Sequence, residues 1–269
     1  MNPGSLDMTT TSPAIKLRID GVGKRFGRTQ VLDDVSLAVP TGAKTVLIGP
    51  AASGKTVLMK CIAGIHQPEQ GSIMLDGEPL TGISVRERNE RLHSTGVLFQ
   101  QGGLFDSLTV WENICFRLIN NEGMSRKEAR ELAIEALAQV NLPAANADLL
   151  PSELSGGMQK RVGLARVFAG QPSLMLLDEP TAGLDPITTK AIYRVLDRMI
   201  DQTHATVFAI TSDMDSARHE YDYMVMLNEG GVVWHGRTSD IDASGNPYVL
   251  QLVNGRAEGP IKMRLKARI

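Results

Sequence analysis

The stretch Gly49-Pro-Ala-Ala-Ser-Gly-Lys-Thr56 constrains this chain more than any other. It reads G-x-x-x-x-G-K-T. The short apolar, β-branched run Thr45 to Ile48 precedes it, and Val57, Leu58, Met59 and Ile62 follow at helical spacing. Strand, loop and helix in that order are the context a phosphate-binding loop requires. Glycines let backbone N–H groups close around a polyphosphate, and the first turn of the helix adds unpaired donors and partial positive charge. Lys55 is placed to reach the β- and γ-phosphates, and Thr56 to offer its hydroxyl to Mg²⁺. A glycine-rich turn before an ordinary helix is the competing reading, and it leaves the strand–loop–helix order unexplained. The residues Gly49, Pro50, Ala51, Ala52, Ser53, Gly54, Lys55 and Thr56 are therefore expected to cradle a nucleoside triphosphate.

A chain of 269 residues has room for one large or two modest domains around an ample core. Lys and Arg total 28 against 30 Asp and Glu, so no basic bias argues for nucleic acid. Cys61 and Cys115 form no spacing motif, which suits a reducing cytosol. No charged-then-apolar leader opens the sequence, and no apolar run approaches the ~18 residues of a membrane span. Any membrane role is expected to be exercised from outside the bilayer, through partners.

Residues 1–13 carry no periodicity and read as a flexible tail. Lys16 to Ile19 and Val31 to Val39 alternate as strands, with a turn at Gly27 between them. Phe26 lies where an aromatic ring can stack on a base, although a lone phenylalanine is more often core. Gly71 to Leu75 is a strand closed by Asp76-Gly77, and Val97 to Gln101 is a strand ending in two amides. An amide at such an end, Gln100 for example, can hold Mg²⁺ or the attacking water, but surface glutamines are common. Ser125-Arg-Lys-Glu128 is a capping box opening a helix that Pro143 ends, so the region from about 102 reads as a helical insertion. Ser155-Gly156-Gly157 starts another helix and offers a second anion-binding end. Leu174 to Leu177 is a continuous apolar run that ends in Asp178-Glu179, as in a parallel strand buried on both faces. A carboxylate there can bind Mg²⁺ and its neighbour can polarise a water. Two adjacent acids are otherwise a solvated turn. Asp185-Pro186 caps a helix through Ile200, Val207 to Ile210 is a buried strand, and a hairpin turns at Glu229-Gly-Gly231. The end is basic at Lys262, Arg264, Lys266 and Arg268, and no internal repeat appears.

Together these motifs, from about Ile15 to Gly236, resemble the ATPase subunits of ABC transporters. The resemblance implies an α/β fold, a P-loop NTPase of the ABC ATPase type with a mixed sheet core and a helical insertion. Its expected limits are 14–240 for the ATPase domain, with about 102–165 as the inserted helical subdomain, and 241–269 for a C-terminal extension. The ligands it implies are ATP and Mg²⁺. Gly49 to Thr56 is similar to Walker A, Gln100 to the Q-loop glutamine and Leu154 to Gly157 to the LSGG signature. Asp178 is similar to the Walker B aspartate, Glu179 to the catalytic glutamate, Asp185 to the D-loop aspartate and Phe26 to the stacking A-loop aromatic. Glu179, Gln100 and the Ser212 position are then catalytic, and Thr56, Gln100 and Asp178 hold the metal. In this family two domains pack head to tail, so Ser155, Gly156 and Gly157 are expected against the phosphate of a second copy of the chain.

Phe99 to Phe105, Leu108 to Ile114, Pro151 to Met158 and Asn254 to Ile261 are similar to the ATPases of Mla and Mce phospholipid transporters. That resemblance implies a place on the cytoplasmic face of a bacterial inner membrane, with permease subunits and a lipid-binding substrate component as partners. Leu104, Phe105, Leu108, Val110 and Trp111 are unusually apolar for a connecting segment and are expected to form either a permease groove or an internally packed cluster. Two positions depart from the pattern. Ala51-Ala52 replaces the usual Ser-Gly of Walker A, so a positive φ at Ala52 would be costlier than with glycine. The family's switch histidine is Ser212, and none of the five histidines lies in that motif. The competing functions are a small-solute importer ATPase, an ATP-switched repair or translation machine, and a weakly active regulatory subunit.

Overall fold

The computed structural model describes residues 14–100 and 102–262. The expected tail at 1–13, Gln101 and the basic positions Arg264, Lys266 and Arg268 lie outside these residues. Two sheets carry the molecule. The smaller is antiparallel, with β1 (Ile15–Phe26) between β2 (Thr29–Pro40) and β4 (Gln70–Leu75), and the short β5 (Glu78–Pro79) at its edge. β1 continues well past Ile19 because irregular pairing between Ile19 and Val22 takes up Gly21, whose φ is 62°, and lets the strand run on to Phe26.

The larger sheet has the order β10-β9-β3-β8-β7-β6, made of β3 (Lys44–Ile48), β6 (Thr95–Leu98), β7 (Leu174–Asp178), β8 (Thr206–Ile210), β9 (Tyr223–Asn228) and β10 (Gly231–Arg237). All adjacent pairs are parallel except the hairpin β9–β10. Every residue of β7 and β8 is buried, which accounts for their unbroken apolar runs. Alternate side chains feed opposite faces. Val46 and Ile48 join one core cluster while Leu47 joins the other, and Met175 and Leu177 are separated from Leu174 and Leu176 in the same way.

α1 (Lys55–Ile62) follows β3 directly, and α2 (Val85–Arg91) follows β5. Between β6 and β7 lie α3 (Val110–Glu122), α4 (Arg126–Gln139) and α5 (Gly156–Ala169), which pack on one another. The expected capping box at α4 is formed, with Ser125 Oγ accepting from the Glu128 N–H at 3.3 Å and Glu128 Oε2 accepting from the Ser125 N–H at 3.2 Å. The helix stops at Gln139, short of Pro143. β6 also ends early, at Leu98, so Gln100 lies on a loop rather than at the strand end. α6 (Pro186–Thr203), α7 (Met214–His219) and α8 (Pro247–Val253) complete the order.

The apolar segment after Gln100 divides. Val110 and Trp111 are not connecting residues but the buried first turn of α3, whose N-terminus is closed by a Thr109–Glu112 capping box. Leu104 packs on the core cluster and Leu108 is half-buried, which leaves Phe105 exposed. Its ring lies 4.6 Å from that of Phe116, itself exposed on α3.

Candidate nucleotide site

The loop between β3 and α1 is shaped by its own packing before any ligand is considered. A Cβ at Gly49 would stand 2.1 Å from the Leu227 carbonyl oxygen at the end of β9, and one at Gly54 would stand 2.8 Å from Leu32 Cδ2. Both glycines are thus demanded by neighbouring strands as well as by φ values of 150° and 106°. Ala52 does take a left-handed conformation, with φ 61°, in the place where glycine would sit without strain. Gly54 caps α1 with no side chain, and no acidic residue occupies the first turn, which leaves its N–H donors facing outward from the helix end.

Lys55 folds back over this loop. Its Nζ donates to the carbonyl oxygens of Gly49 and Pro50, each at 2.8 Å. Burial lowers its pKa, against the opposing pull of Glu179 and Asp178. Thr56, one residue on, donates its hydroxyl to Asp178 Oδ2 at 3.0 Å, joining α1 to the end of β7. Asp178 is 2% exposed, and burial raises its pKa, with the neighbouring charge of Glu179 acting in the same direction. Glu179 is half-buried, has φ 54°, and donates its N–H to the Ile210 carbonyl at 2.9 Å. Left-handed backbone at a non-glycine residue costs on the order of 1–3 kcal/mol.

These residues fit a nucleotide and a divalent cation. An ammonium resting on backbone carbonyls, beside a helix start with open donors, suits a polyphosphate. Thr56 and Asp178 bring together two oxygens, and no cluster of three or more His, Cys, Asp or Glu suited to a metal exists among the described residues. Such a small protein donor set suits Mg²⁺, which commonly takes one or two protein oxygens and completes its shell with phosphate and water.

The remaining expected site residues lie elsewhere in this chain. Ser155 caps α5, its Oγ accepting from the Met158 N–H at 3.3 Å. Gly156 and Gly157 line a cleft of about 490 Å³ with the exposed Gln100 and Gly183, the half-buried Lys160 and the buried Gly102, and neither Lys55 nor Thr56 is among its walls. Gln100 thus lies on the cleft beside the Ser-Gly-Gly helix. Lys160 escaped the sequence reading. It sits one helical turn after Gly156, donates to the Ala182 carbonyl at 2.6 Å, and has its pKa lowered by burial. Its i+4 spacing from Gly156 was the available signal.

Asp185 is occupied as the cap of α6. One carboxylate oxygen accepts from the Ile187 and Thr188 N–H groups at 3.0 Å each and the other from the Thr188 hydroxyl at 2.6 Å, bonds that hold its pKa low. Asp213 is committed in the same way to α7, accepting from the Asp215 N–H at 3.1 Å and the Ser216 hydroxyl at 2.7 Å. Ser212 is exposed between the buried Thr211 and that cap. Phe26, 44% exposed at the end of β1, meets His66 edge-on at 5.2 Å, with the Lys24 ammonium 5.3 Å from its ring centre.

Comparison with known proteins agrees with this architecture. The family described as ABC transporter matches residues 32–182. The chain is 37% identical over 249 residues to the probable ribonucleotide transport ATP-binding protein mkl of Mycobacterium tuberculosis, covering 93% of this chain and 69% of that protein. It is 33% identical over 242 residues to the intermembrane phospholipid transport system ATP-binding protein MlaF of Haemophilus influenzae, covering 90% and 91%. A dimeric ATP-binding cassette in a post-hydrolysis state, bound to ADP and Pi, superposes with a TM-score of 0.78 at 30% identity, covering 82% of this chain and 98% of the other. The chain therefore belongs to the ABC transporter family, as an ATP-binding domain with the mixed-sheet cassette fold.

Proposed function

We propose that this chain binds ATP with Mg²⁺ at the Lys55–Thr56–Asp178 cluster and hydrolyses it to drive phospholipid movement through permease partners. The observation that carries the nucleotide assignment is the junction of Thr56 with the buried Asp178, directly beside a lysine folded over its own loop. Lys55 leaves the Gly49 and Pro50 carbonyls for the phosphates, a charge-assisted exchange that contributes on the order of 1.5–3 kcal/mol. Thr56 and Asp178 hold the cation, which supplies charge neutralisation at the transferring phosphoryl group when bound. Glu179, aimed by its left-handed backbone, orients the attacking water. Phe26 presents an open ring face to the base.

The site is completed by a second copy. In this chain Gly156 and Gly157 line a cleft that Lys55 does not, and Ser155 caps the same helix, so the Ser-Gly-Gly helix start serves a neighbour's phosphate rather than its own. The dimeric cassette among the structural relatives supports that arrangement. The phospholipid reading rests on the Phe99 to Phe105 and Pro151 to Met158 segments and on the relative named for intermembrane phospholipid transport. Transport of a small solute is the second reading, favoured by the relative named for ribonucleotide transport. Both place the protein peripherally on a membrane, and no helix among the described residues is long and apolar enough to cross one.

Glu179→Gln tests the catalytic and dimer assignments together. The variant should bind ATP, hydrolyse it negligibly, and sediment as a persistent dimer. A monomer at every ATP concentration, with permease present, would defeat the paired-site reading. Identification of the lipid and permease chains co-purifying with the native complex separates the two transport readings.

A further inference from the structure

Arg88 on α2 is the least expected charge in the molecule. It is 8% exposed, yet its Nε has no hydrogen-bond partner, and no carboxylate among the described residues forms an ion pair with it. Buried guanidinium groups are ordinarily paired, because an uncompensated buried charge is strongly destabilising. The acids around it are committed elsewhere. Glu87 accepts from the Ser84 N–H at 2.9 Å, Glu90 pairs with Arg86 at 3.0 Å, and Glu78 pairs with Arg91 at 3.4 Å. Glu69 is held by Lys24 at 2.5 Å and by the Arg25 N–H at 2.9 Å.

Arg88 lines a small pocket, of about 30 Å³, together with Cys61, Gly64, His66, Thr81 and Gly82. No wall residue is anionic, since burial pushes the Cys61 thiol up to about 11. The arginine is seated by design of the backbone. A Cβ at Gly64, whose φ is 74°, would stand 2.8 Å from Arg88 Nε and 3.0 Å from its Cδ. One wall residue, His66, also touches the Phe26 ring, so the pocket lies one side chain behind that aromatic.

We propose that this pocket binds a small monovalent anion from solution, of the size of chloride, bromide or formate, as the counter-charge of Arg88. A water occupies about 10–15 Å³ of such space, so the pocket accepts one small anion or roughly two waters but not a sulfate, a phosphate or a nucleotide. The site is separate from the phosphate loop, and the assignment stands whether or not the transport reading does.

Two measurements on the full chain test it. In crystals soaked with bromide, anomalous scattering should place a bromide within hydrogen-bond distance of the Arg88 guanidinium. In chloride-free, nucleotide-free buffer, formate should raise the unfolding temperature saturably, by on the order of 3 °C at about tenfold above half-saturation, while sulfate at matched ionic strength gives no saturable rise. Arg88→Met should abolish the formate response. Water in the pocket with no anomalous peak would overturn the proposal, as would an equal formate response in a folded Arg88→Met protein. If that variant does not fold, the bromide map on the unaltered chain decides.

Discussion

Asp178→Asn should make the ligand-free protein more stable while depriving it of the stabilisation that Mg-ATP confers. Asp178 is 2% exposed, and among the described residues its carboxylate accepts one hydrogen bond, from the Thr56 hydroxyl at 3.0 Å. Lys55 and Lys60 favour its charge, but burial and Glu179 oppose it, and the net effect raises the pKa above 3.8. An acid with a raised folded pKa holds its proton more tightly in the folded state than in the unfolded one. Its contribution to stability is therefore lost as pH rises from the unfolded value through the folded value. Asparagine retains an acceptor for Thr56 and removes the charge. Relief of a desolvated charge at a functional position contributes on the order of 1–2 kcal/mol, reduced by whatever the new amide N–H groups leave unpaired. Denaturation without nucleotide should place the variant about 1 kcal/mol above the parent at pH 7, with the gap closing as pH falls towards 4. Saturating Mg-ATP should reverse the order, because the parent gains about 2.7 kcal/mol at a hundredfold excess over Kd and the variant far less. A variant less stable than the parent without nucleotide at pH 7 would show that the Thr56 and Lys contacts outweigh burial, and would refute the reasoning.

Lys55→Ala should weaken ATP binding by roughly 1.5–3 kcal/mol in calorimetry, and an unchanged affinity would count against the phosphate assignment. Ser212→His should raise kcat about tenfold or less with little change in ATP affinity, since a donor at the exposed 212 position acts on charge that develops in the transition state. Asp213 is committed to its helix cap and is not free to take the histidine's part, and a rate that falls on introducing histidine would show a site rebuilt around serine. Phe105→Asp combined with Phe116→Asp should abolish co-purification with the permease while leaving ATP binding intact, because Phe105 is the exposed remainder of the apolar segment and Phe116 on α3 extends it. An intact complex would place the permease contact elsewhere.

Much of the site was legible residue by residue because its chemistry is local. The loop from Gly49 to Thr56 sits between strand and helix as its spacing requires, and the run ending at Asp178 is buried at every position. Ala52 takes the positive φ, 61°, that the sequence marks as costlier there than with glycine. Capping at Ser125 and Asp185 followed from short patterns that satisfy helix ends within a few residues. Other elements misled for an equally local reason. Val110 and Trp111 read as a sticky connector, since a capped first helical turn and an apolar loop are nearly the same string until the partner surface is known.

What the sequence determined alone was which groups carry phosphate, cation and water chemistry, and which segments are helix or strand. Their company was decided by the tertiary structure. Thr56 meets Asp178 because β3 and β7 run parallel with only β8 between them, so their ends lie along one edge of the sheet, a meeting across 122 residues that no local period encodes. The same sheet order presses Leu227 against Gly49, so that a glycine read as a ligand's requirement is first a requirement of β9. Tertiary packing likewise leaves the buried Arg88 Nε without a hydrogen-bond partner. Side-chain type and periodicity report what a residue offers and which way it faces, whereas desolvation and pairing depend on neighbours that only chain closure brings within reach.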